Sequence, residues 1–493
     1  MSTDFARALE AHAGRASGAA LVGGGRSWSY AELDCEVAEF AALLRARGVR
    51  VLGTLLDNGP EWVVADLAAL RAGVVHVPLP VFFTPAQLGH ALAAAGVDTL
   101  LARPHGAPAH TGAPAQPCRV AQVPLALLPL AATPAPLPAG TAKITFTSGT
   151  TGTPKGVCLA AGAMAAVAQG LTAATAALAI RRHLCVLPLP VLLENIAGVM
   201  APLFAGASCI VPPLAEVGLS GSSRFDVARF QAAVARHRPH SLIVLPQMLR
   251  AWAGHLQQGG QRAPEGLRLV AVGGAAVGAR LLAAARAVGI PAFEGYGLSE
   301  GASVQTLNLP GADRPGSAGR ALPHARLRVA ADGELEIAGS LFAGYLGEPA
   351  PPDQWWPTGD LGDIDADGFV HVRGRKKHVL ITAFGRNVSP EWVETTLAES
   401  PAIAHAAVFG EGRIELAAVL WPRHDALPDV ALQAAVAEAN ARLPDYARVG
   451  RWVRAAAAFS PESGLSTANG RPQRAAIEAL HADALGTASA TAP

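Results

Sequence analysis

The sequence predicts a mixed α/β fold in two unequal parts: a large N-terminal domain of α/β layers with a small antiparallel β subdomain, then a small α+β C-terminal domain. Three observations lead to this prediction. The chain has 493 residues, which is too long for one ordinary domain. Apolar segments of helical and strand-like spacing alternate up to about residue 310. The alternation starts again after Lys377, beyond a stretch of hairpin signals.

The first clear helical pattern follows Tyr30, where apolar residues recur at near-helical spacing at Leu33, Val37, Phe40, Leu43 and Leu44. Further on, two strand-like runs, 241–246 and 267–272, flank helical patterns. The second run ends in Gly273-Gly274 and leads into a helical pattern over 280–288. Strand, glycine turn and helix in this order are typical of nucleotide sites.

Short β-like pieces between 316 and 373 are separated by the turn dipeptides Asp332-Gly333 and Asp367-Gly368, which predict hairpins and hence the antiparallel subdomain. After Lys377 the pattern predicts strands over 404–409 and 414–421 and helices over 432–443 and 474–485.

Two segments are not expected to pack as regular elements. The stretch 103–140 is rich in Pro and Ala, which predicts a surface connection. The tail 486–493 is small and polar, and we expect it to be disordered.

Composition excludes several classes of function. A net charge of +1, from 39 basic and 38 acidic residues, leaves no excess to bind nucleic acid. The five scattered cysteines form no C-x-x-C pair and have no histidine spacing suited to zinc, so we expect reduced thiols in a cytoplasmic protein. The N-terminus lacks a secretory pattern. Prolines interrupt the uncharged stretch 195–215, and no membrane span is expected.

The most informative run is Thr147-Ser148-Gly149-Thr150-Thr151-Gly152-Thr153-Pro154-Lys155-Gly156. Glycines let backbone N–H groups approach an anion, hydroxyls donate further hydrogen bonds, and the lysine adds a mobile charge, so the run predicts a phosphate-binding turn. Two residues separate the second glycine of the run from its lysine, unlike in the common phosphate loop, which disfavours a kinase or GTPase. A solvent-facing Ser/Thr/Gly turn would explain the glycines and threonines but not the lysine as well.

This run resembles the signature of the adenylate-forming superfamily, which includes acyl-CoA synthetases, luciferases and nonribosomal-peptide adenylation domains. Other family-like motifs follow in the family's order from about Ser29 to Arg474. The resemblance, closest to long-chain fatty acyl-CoA ligases, implies an N-terminal AMP-binding domain over 1–374, with the nucleotide and acyl site in 141–310 and the β subdomain in 311–374. It also implies a mobile C-terminal domain over 378–485.

The resemblance further implies the residues that hold ATP and Mg²⁺. Tyr296 would stack on adenine, Ser299 would contact the α-phosphate, and Glu300 would be both catalytic and the metal ligand. Asp360 would accept hydrogen bonds from the ribose, and Arg375 would reach the ribose or phosphate. The remaining nucleotide contacts would come from Thr147, Ser148, Gly149, Thr150, Thr151, Gly152, Gly273, Gly274, Ala275, Glu294, Gly295 and Gly297. Taken singly, the glycines could be plain turns, Asp360 a turn cap and Glu300 a solvated acid.

Two catalytic cations and a hinge are implied as well. Lys155 would stabilise charge on the phosphates. Arg471 stands where the family usually has a lysine that binds the reacting carboxylate; a planar guanidinium is a different shape from an ammonium, so the residue either does the same task with altered geometry or slows adenylation. Lys377 matches the hinge, and Gly385 and Arg386 would line the thiol tunnel.

The segment 187–195 resembles the acyl-binding region of long-chain ligases, although Val191 replaces a common histidine. Val191, Glu194 and Asn195 are the predicted acyl-pocket residues, and the apolar neighbours favour a hydrophobic, fatty acid over an amino acid. They could equally be core residues. The expected reaction is ATP-dependent formation of acyl-AMP and transfer to CoA. Two alternatives stay open: loading of the phosphopantetheine arm of an acyl carrier protein, and a non-catalytic ATP-binding relative.

Overall fold

The computed structural model describes residues 3–14, 18–104, 114–147, 155–221, 224–348, 354–383, 386–467 and 470–485. Within these ranges the chain forms two large mixed sheets, a four-stranded antiparallel sheet and a separate three-stranded sheet near the C-terminal end. The predicted mixed α/β fold class is confirmed, including the antiparallel part. The exact domain limits and the mobility of the C-terminal domain stay predictions.

The first large sheet has nine strands within the described ranges and includes the strands that precede Gly273 and carry Tyr296. Its middle strands are parallel, and the pairs at its two ends are antiparallel. In spatial order the strands are Arg320–Ala321, Ser303–Leu307, Ala292–Leu298, Leu269–Val272, Ser241–Val244, Arg182–Leu184, Ser208–Ile210, Ala19–Gly23 and Arg26–Ser29.

The second large sheet has eight strands in the described chain. In order they are Gly344–Tyr345, Lys155–Ala160, Thr141–Thr147, Val75–Pro78, Val51–Leu55, Thr99–Ala102, Val123–Pro129 and Gln116–Val120. The last two strands correct the expectation that 103–140 is only a surface connection. Leu125, Leu127 and Leu128 are buried, and the segment pairs antiparallel with Thr99–Ala102, so an apolar run within a Pro-rich stretch was sufficient to make a strand.

The antiparallel subdomain sheet contains Ala325–Val329, Glu334–Gly339, Trp356–Ile364 and Val370–Arg375. The two Asp-Gly dipeptides lie between paired strands, as predicted. Gly333 (φ +84°) and Gly368 (φ +82°) adopt the left-handed conformation that such turns require.

The C-terminal sheet contains Ile403–Phe409, Leu416–Pro422 and Val449–Arg454. Two short pairs, Leu219–Ser220 with Arg224–Phe225 and Leu380–Ile381 with Asn387–Val388, complete the strands of the described residues. The helices are Thr3–Ala13, Tyr30–Ala46, Pro60–Ala72, Pro85–Ala95, Ala161–Thr175, Glu194–Met200, Ala201–Phe204, Val227–His237, Pro246–Gln258, Ala279–Ala287, Pro390–Ala398, Asp429–Asn440, Arg474–Leu480 and Ala482–Leu485.

Local sequence explains where several of these helices begin. Ser29 and Glu32 form a capping box at the start of Tyr30–Ala46, in which the Ser29 side chain accepts from the Glu32 N–H and the Glu32 carboxylate accepts from the Ser29 N–H. Leu33, Val37, Phe40 and Leu44 of this helix are buried, as their spacing predicts. The stretch 195–215 is broken into short elements, also as predicted.

One helical stretch, Ala161–Leu178, has the length and apolar composition of a membrane-crossing helix, and a third of it is buried in the protein. Met164, Val167 and Leu171 on this stretch pack into the main hydrophobic core. This helical stretch therefore buries one apolar face against the rest of the protein.

A buried ionic cluster connects the second sheet to the segment Glu194–Met200, which is a π-helix. Lys143 is fully buried, and its Nζ lies 2.8 Å from Asp66 Oδ1; it also contacts Asn195 Oδ1. Asn195 Nδ2 donates to Asp66 Oδ2 (2.8 Å), and His76 Nδ1 lies 2.6 Å from Asp66 Oδ1. Although burial opposes it, the positive charge of Lys143 and the hydrogen bond from His76 lower the pKa of Asp66. The carboxylate is therefore ionised and fully paired.

We predict that Lys143→Met lowers the free energy of unfolding by about 3–5 kcal/mol, because it leaves the buried Asp66 carboxylate without its cation. Urea unfolding followed by tryptophan fluorescence measures the change. The exposed Lys155→Met is the matched control and should change stability by no more than about 0.5 kcal/mol. Adding Asp66→Asn to Lys143→Met should recover part of the loss. An effect of Lys143→Met no larger than that of Lys155→Met would contradict the role of the pair.

Candidate active site

The centre of the predicted phosphate turn, with Ser148, Gly149, Thr150, Thr151 and Gly152, lies outside the described residues, and so does Gly385. The two ends of the turn are described. Thr147 and Lys155 are register partners in an antiparallel strand pair, and Thr147 Oγ1 lies 3.5 Å from Lys155 O. The lysine therefore begins a strand, whereas the lysine of a common phosphate loop leads into a helix.

Lys155 and Glu300 meet at one aromatic ring. Lys155 Nζ lies 4.9 Å from the centroid of the Tyr345 ring and 3.2 Å from Glu348 Oε1. The Tyr345 hydroxyl donates to Glu300 Oε1 at 2.6 Å. Burial, followed by this hydrogen bond to the carboxylate, raises the pKa of Tyr345, so the hydroxyl stays protonated. The ring thus places a mobile ammonium and a carboxylate on the same side of the second sheet's edge.

Asp360 lies between Tyr296 and Arg375. The Tyr296 hydroxyl donates to Asp360 Oδ2 (2.6 Å), and Arg375 Nε lies 2.9 Å from Asp360 Oδ1. Asp360 and Arg375 are register partners on neighbouring strands of the subdomain sheet, and Arg375 Nη1 also donates to Thr358 O (2.9 Å). Burial raises the pKa of Asp360, and the charge of Arg375 offsets part of this rise. The positive charge of Arg375 also acts on the Tyr345 hydroxyl, so this group lies near the Lys155 group.

Different structural constraints require glycine at the positions of the two predicted nucleotide motifs. A Cβ on Gly297 would lie 2.2 Å from Ser303 O, at a bulge between strands Ala292–Leu298 and Ser303–Leu307, so strand pairing alone requires this glycine. Gly274 (φ +82°) ends strand Leu269–Val272 in a left-handed turn. A Cβ on Gly273 would approach Gly295 O at 3.2 Å, and Ala275 is exposed beside them.

Glu294 precedes the Tyr296 motif, and one of its oxygens accepts the Val277 N–H at 3.3 Å. Burial raises the pKa of Glu294 to about 7, and the Val277 hydrogen bond offsets this only in part. Near neutral pH the carboxyl is thus partly protonated and can donate a hydrogen bond, which an ordinary glutamate cannot.

Cations from three segments lie near one another, and two of them, Arg375 and Arg471, lie near Asp360. Arg471, from the C-terminal part, donates through Nη2 to Gly274 O at 3.1 Å. Partial desolvation and then the positive charges of Arg375, Arg471 and Lys155 lower the pKa of Lys377. These four side chains are therefore close enough to repel one another, an arrangement that favours binding of a polyanion.

The remaining predicted residues are placed as follows. Arg386 is exposed, with backbone hydrogen bonds to Thr382. Ser299 lies in the short turn that carries Glu300. Val191 is half-buried beside the π-helix, whose Asn195 N–H donates to Val191 O.

The structure gives Glu194 and Asn195 partners within the protein. Glu194 is fully buried and accepts the Leu187 N–H at 3.1 Å, with His183 beside its other oxygen. Asn195 belongs to the Lys143 cluster. Their side chains hold the π-helix in place, and direct contact of either with an acid stays a prediction.

Sequence reasoning missed two residues of this site, Tyr345 and Glu348. Both follow strand Glu334–Gly339 in a segment without a recognisable motif. The local sequence signal is an aromatic residue after Gly344. Its role becomes visible in the fold, where strand Gly344–Tyr345 pairs with Lys155–Ala160 and brings Tyr345 next to Lys155.

Comparison with known proteins places these residues in a family. Residues 9–346 match the model described as AMP-binding enzyme, and residues 377–491 match that of the AMP-binding enzyme C-terminal domain. A feruloyl-CoA synthase of an Amycolatopsis species is 31% identical over 416 residues, covering 78% of this chain and 81% of that protein. A long-chain-fatty-acid–CoA ligase of Mycobacterium bovis is 38% identical over 159 residues, which is 31% of this chain and 26% of that one.

Among solved structures, an anthranilate CoA ligase in complex with anthranoyl-AMP has a TM-score of 0.81 and is 21% identical, covering 98% of both chains. At this identity the likeness concerns the fold. It extends over both the large and the small part of the chain.

The raised pKa of Glu294 has a consequence for stability. The folded chain holds this proton up to about pH 7, whereas the unfolded chain releases it near the ordinary value of 4.5. Raising the pH through that interval therefore costs stability, and Glu294→Gln should be more stable than wild type at pH 8, on the order of 1–2 kcal/mol, with little difference at pH 4.5. Urea unfolding at the two pH values tests this. The exposed Glu265→Gln is the control; an equal difference at both pH values would contradict the assignment.

Proposed function

The chain belongs to the AMP-binding enzyme family, and from that premise we propose that it is an acid–thiol ligase. It would use Mg-ATP to convert a carboxylic acid to acyl-AMP and then transfer the acyl group to the thiol of CoA. The observation that carries the proposal is that Tyr296, Arg375 and Arg471 surround Asp360, with Lys377 close to both arginines.

The donor set fits a magnesium nucleotide. Asp360 is a buried carboxylate that can accept hydrogen bonds from the two ribose hydroxyls, and Arg375 beside it holds the carboxylate in position. The described hydrogen bonds engage one oxygen of Glu300, so its other oxygen can serve as a ligand to Mg²⁺, a hard ion that shares carboxylates with substrate phosphates.

In the first half-reaction the acid's carboxylate attacks the α-phosphorus, and pyrophosphate leaves with its electron pair. Negative charge accumulates on phosphate oxygens, where the ammonium of Lys155 would stabilise it. Lys155 must leave the exposed pair with Glu348 to do so, which costs little because both side chains are half-exposed.

We assign Arg471 to the reacting carboxylate. Its guanidinium lies at Gly274, at the end of a central strand of the nucleotide sheet and near Asp360 and Arg375. A planar fork can bind a carboxylate by two parallel hydrogen bonds, which a lysine cannot. This supports the view that arginine performs the family lysine's task in an altered geometry.

The proposed class of acid is hydrophobic. Two similar proteins are named for feruloyl and long-chain fatty acyl groups, which have an extended apolar part in common, although another is named for the small polar acid sulfoacetate. Val191 and its apolar neighbours support a pocket of this kind. Within this class, fatty acids and aryl acids are the two candidate substrates.

The second half-reaction would require the C-terminal domain to rotate about Lys377, replacing Arg471 by the face that carries Gly385 and Arg386. A protein that loads a carrier's phosphopantetheine arm would use the same face. A non-catalytic relative would bind ATP without releasing pyrophosphate.

We predict acid-dependent release of pyrophosphate when the protein is given Mg-ATP and a panel of fatty and hydroxycinnamic acids, with acyl transfer to CoA. Lys155→Ala should lower the rate of adenylation by at least about 100-fold, the scale seen on removing one transition-state donor. The exposed Arg26→Ala is the matched control. Bound ATP with no pyrophosphate from any acid would support the non-catalytic alternative, and transfer to a carrier protein but not to CoA would support the loading alternative.

A second prediction concerns the hinge. Lys377→Pro should lower the rate of thioester formation more than the rate of acyl-adenylate formation, because proline restricts the backbone rotation needed between the two steps. Lys377→Ala removes the charge and leaves the backbone free. It therefore separates the effect of losing the charge from the effect of restricting the backbone. Single-turnover measurement of the rate of each half-reaction tests this prediction. If Lys377→Pro lowered the two rates equally, the result would count against rotation at this residue.

A further inference from the structure

Three metal-binding side chains meet in the interior, away from the nucleotide site. His183, Cys185 and Glu194 each offer one ligand atom, and these atoms lie within 4.8 Å of one another. All three residues are buried. His183 lies within strand Arg182–Leu184, and Cys185 directly follows that strand. Glu194 comes from the π-helix that packs over it. Imidazole, thiolate and carboxylate at this separation are the ligand types of zinc sites.

The atoms that would not bind the metal are already anchored. His183 Nδ1 lies 2.9 Å from Ser241 Oγ, which leaves Nε2 facing Glu194 Oε1 at 3.2 Å. The second oxygen, Glu194 Oε2, accepts the Leu187 N–H at 3.1 Å. Outer hydrogen bonds of this kind orient the histidine and carboxylate ligands of metal sites.

A further thiol, that of Cys209, lies near these three but outside the 4.8 Å within which their ligand atoms fall. Cys209 is the register partner of His183 on the adjacent parallel strand, and it is fully buried. The thiols of Cys185 and Cys209 both contact Gly198 O, at 3.5 Å and 3.6 Å. A shift of the Cys209 side chain toward the three ligand atoms would complete the four-ligand set of a closed structural site.

We propose that His183, Cys185, Glu194 and Cys209 form a structural zinc site that fastens the π-helix to the first sheet. Cys185 loses its thiol proton to solvent when Zn²⁺ binds, as does Cys209 if it ligates as thiolate. His183 ligates as neutral imidazole through Nε2, with its hydrogen on Nδ1 bonded to Ser241. The anionic ligands offset the charge of the ion, so the site can be buried without another counter-ion.

The position of the site gives it a consequence for the neighbouring residues. Glu194 is followed by Asn195, which is held by Lys143 of the other large sheet and by Asp66 of helix Pro60–Ala72. The ion would therefore fix the start of the π-helix at Glu194. The next residue, Asn195, contacts Lys143 on strand Thr141–Thr147, which leads into the predicted phosphate turn. A structural ion here would restrict the π-helix and the apolar segment before it, independently of whether the chain is a ligase.

The test is metal content of the full-length protein produced in cells grown with added ZnCl2, since a buried site is filled during folding. Wild type and Cys158→Ser, which removes an equally buried thiol in the other sheet, should carry one zinc ion per chain after gel filtration in chelator-treated buffer. Cys185→Ser and Glu194→Gln should lose at least about 90% of it. Ser241→Ala, which keeps all ligands, should weaken retention against a chelator by about 10–100-fold.

Protein produced with CoCl2 gives an independent readout that needs no variant to fold. Tetrahedral cobalt bound by thiolate shows d–d bands and a sulfur-to-cobalt charge-transfer band, and we expect both in wild type. Wild type without bound zinc and without a thiolate–cobalt band would overturn the proposal and leave a metal-free hydrogen-bonded cluster. Cys185→Ser that keeps wild-type zinc content would overturn it as well.

Discussion

The constraint on which the site depends is the mutual repulsion of four cations that the fold holds together. These cations come from three segments: Lys155, the neighbouring Arg375 and Lys377, and Arg471. Partial desolvation and then the charges of the other three lower the pKa of Lys377. Asp360 pairs with Arg375, and Glu348 pairs with Lys155. An anionic ligand would relieve the remaining repulsion among the cations, which supports the proposal of a nucleotide-phosphate site. The exposed and easily broken pair between Lys155 and Glu348 leaves that lysine free to move.

A second constraint is the attachment of the π-helix Glu194–Met200 to both large sheets. Glu194 faces His183 of the first sheet, and Asn195 faces Lys143 of the second sheet and Asp66 of helix Pro60–Ala72. Buried polar groups of this kind cost free energy unless every partner is present, so they fix one arrangement of the two sheets. The strand that carries Lys143 is also the strand that ends at Thr147, where the phosphate turn begins.

Local signals predicted elements well where they agreed with the tertiary environment. The helix after Ser29, the Asp-Gly hairpins and the strand before Gly273 formed as expected, because periodicity and turn chemistry act over a few residues. Strand Val123–Pro129 was missed because its prolines read as loop signals, although both flank a buried apolar run that pairs with a neighbour. Gly297 was assigned to nucleotide contact, yet the close approach of Ser303 O already requires it.

The sequence by itself determined the family-like motifs, the order of the elements and the identity of Lys155, Glu300, Asp360 and Arg471 as site candidates, since these depend on residue type and short spacing. Only the tertiary structure decided that Tyr345 joins Lys155 to Glu300, that Tyr296 bonds Asp360, and that His183, Cys185 and Glu194 meet. The reason is physical. Such contacts join residues from different strands and helices, and strand order and packing, which no local pattern records, bring them within bonding distance.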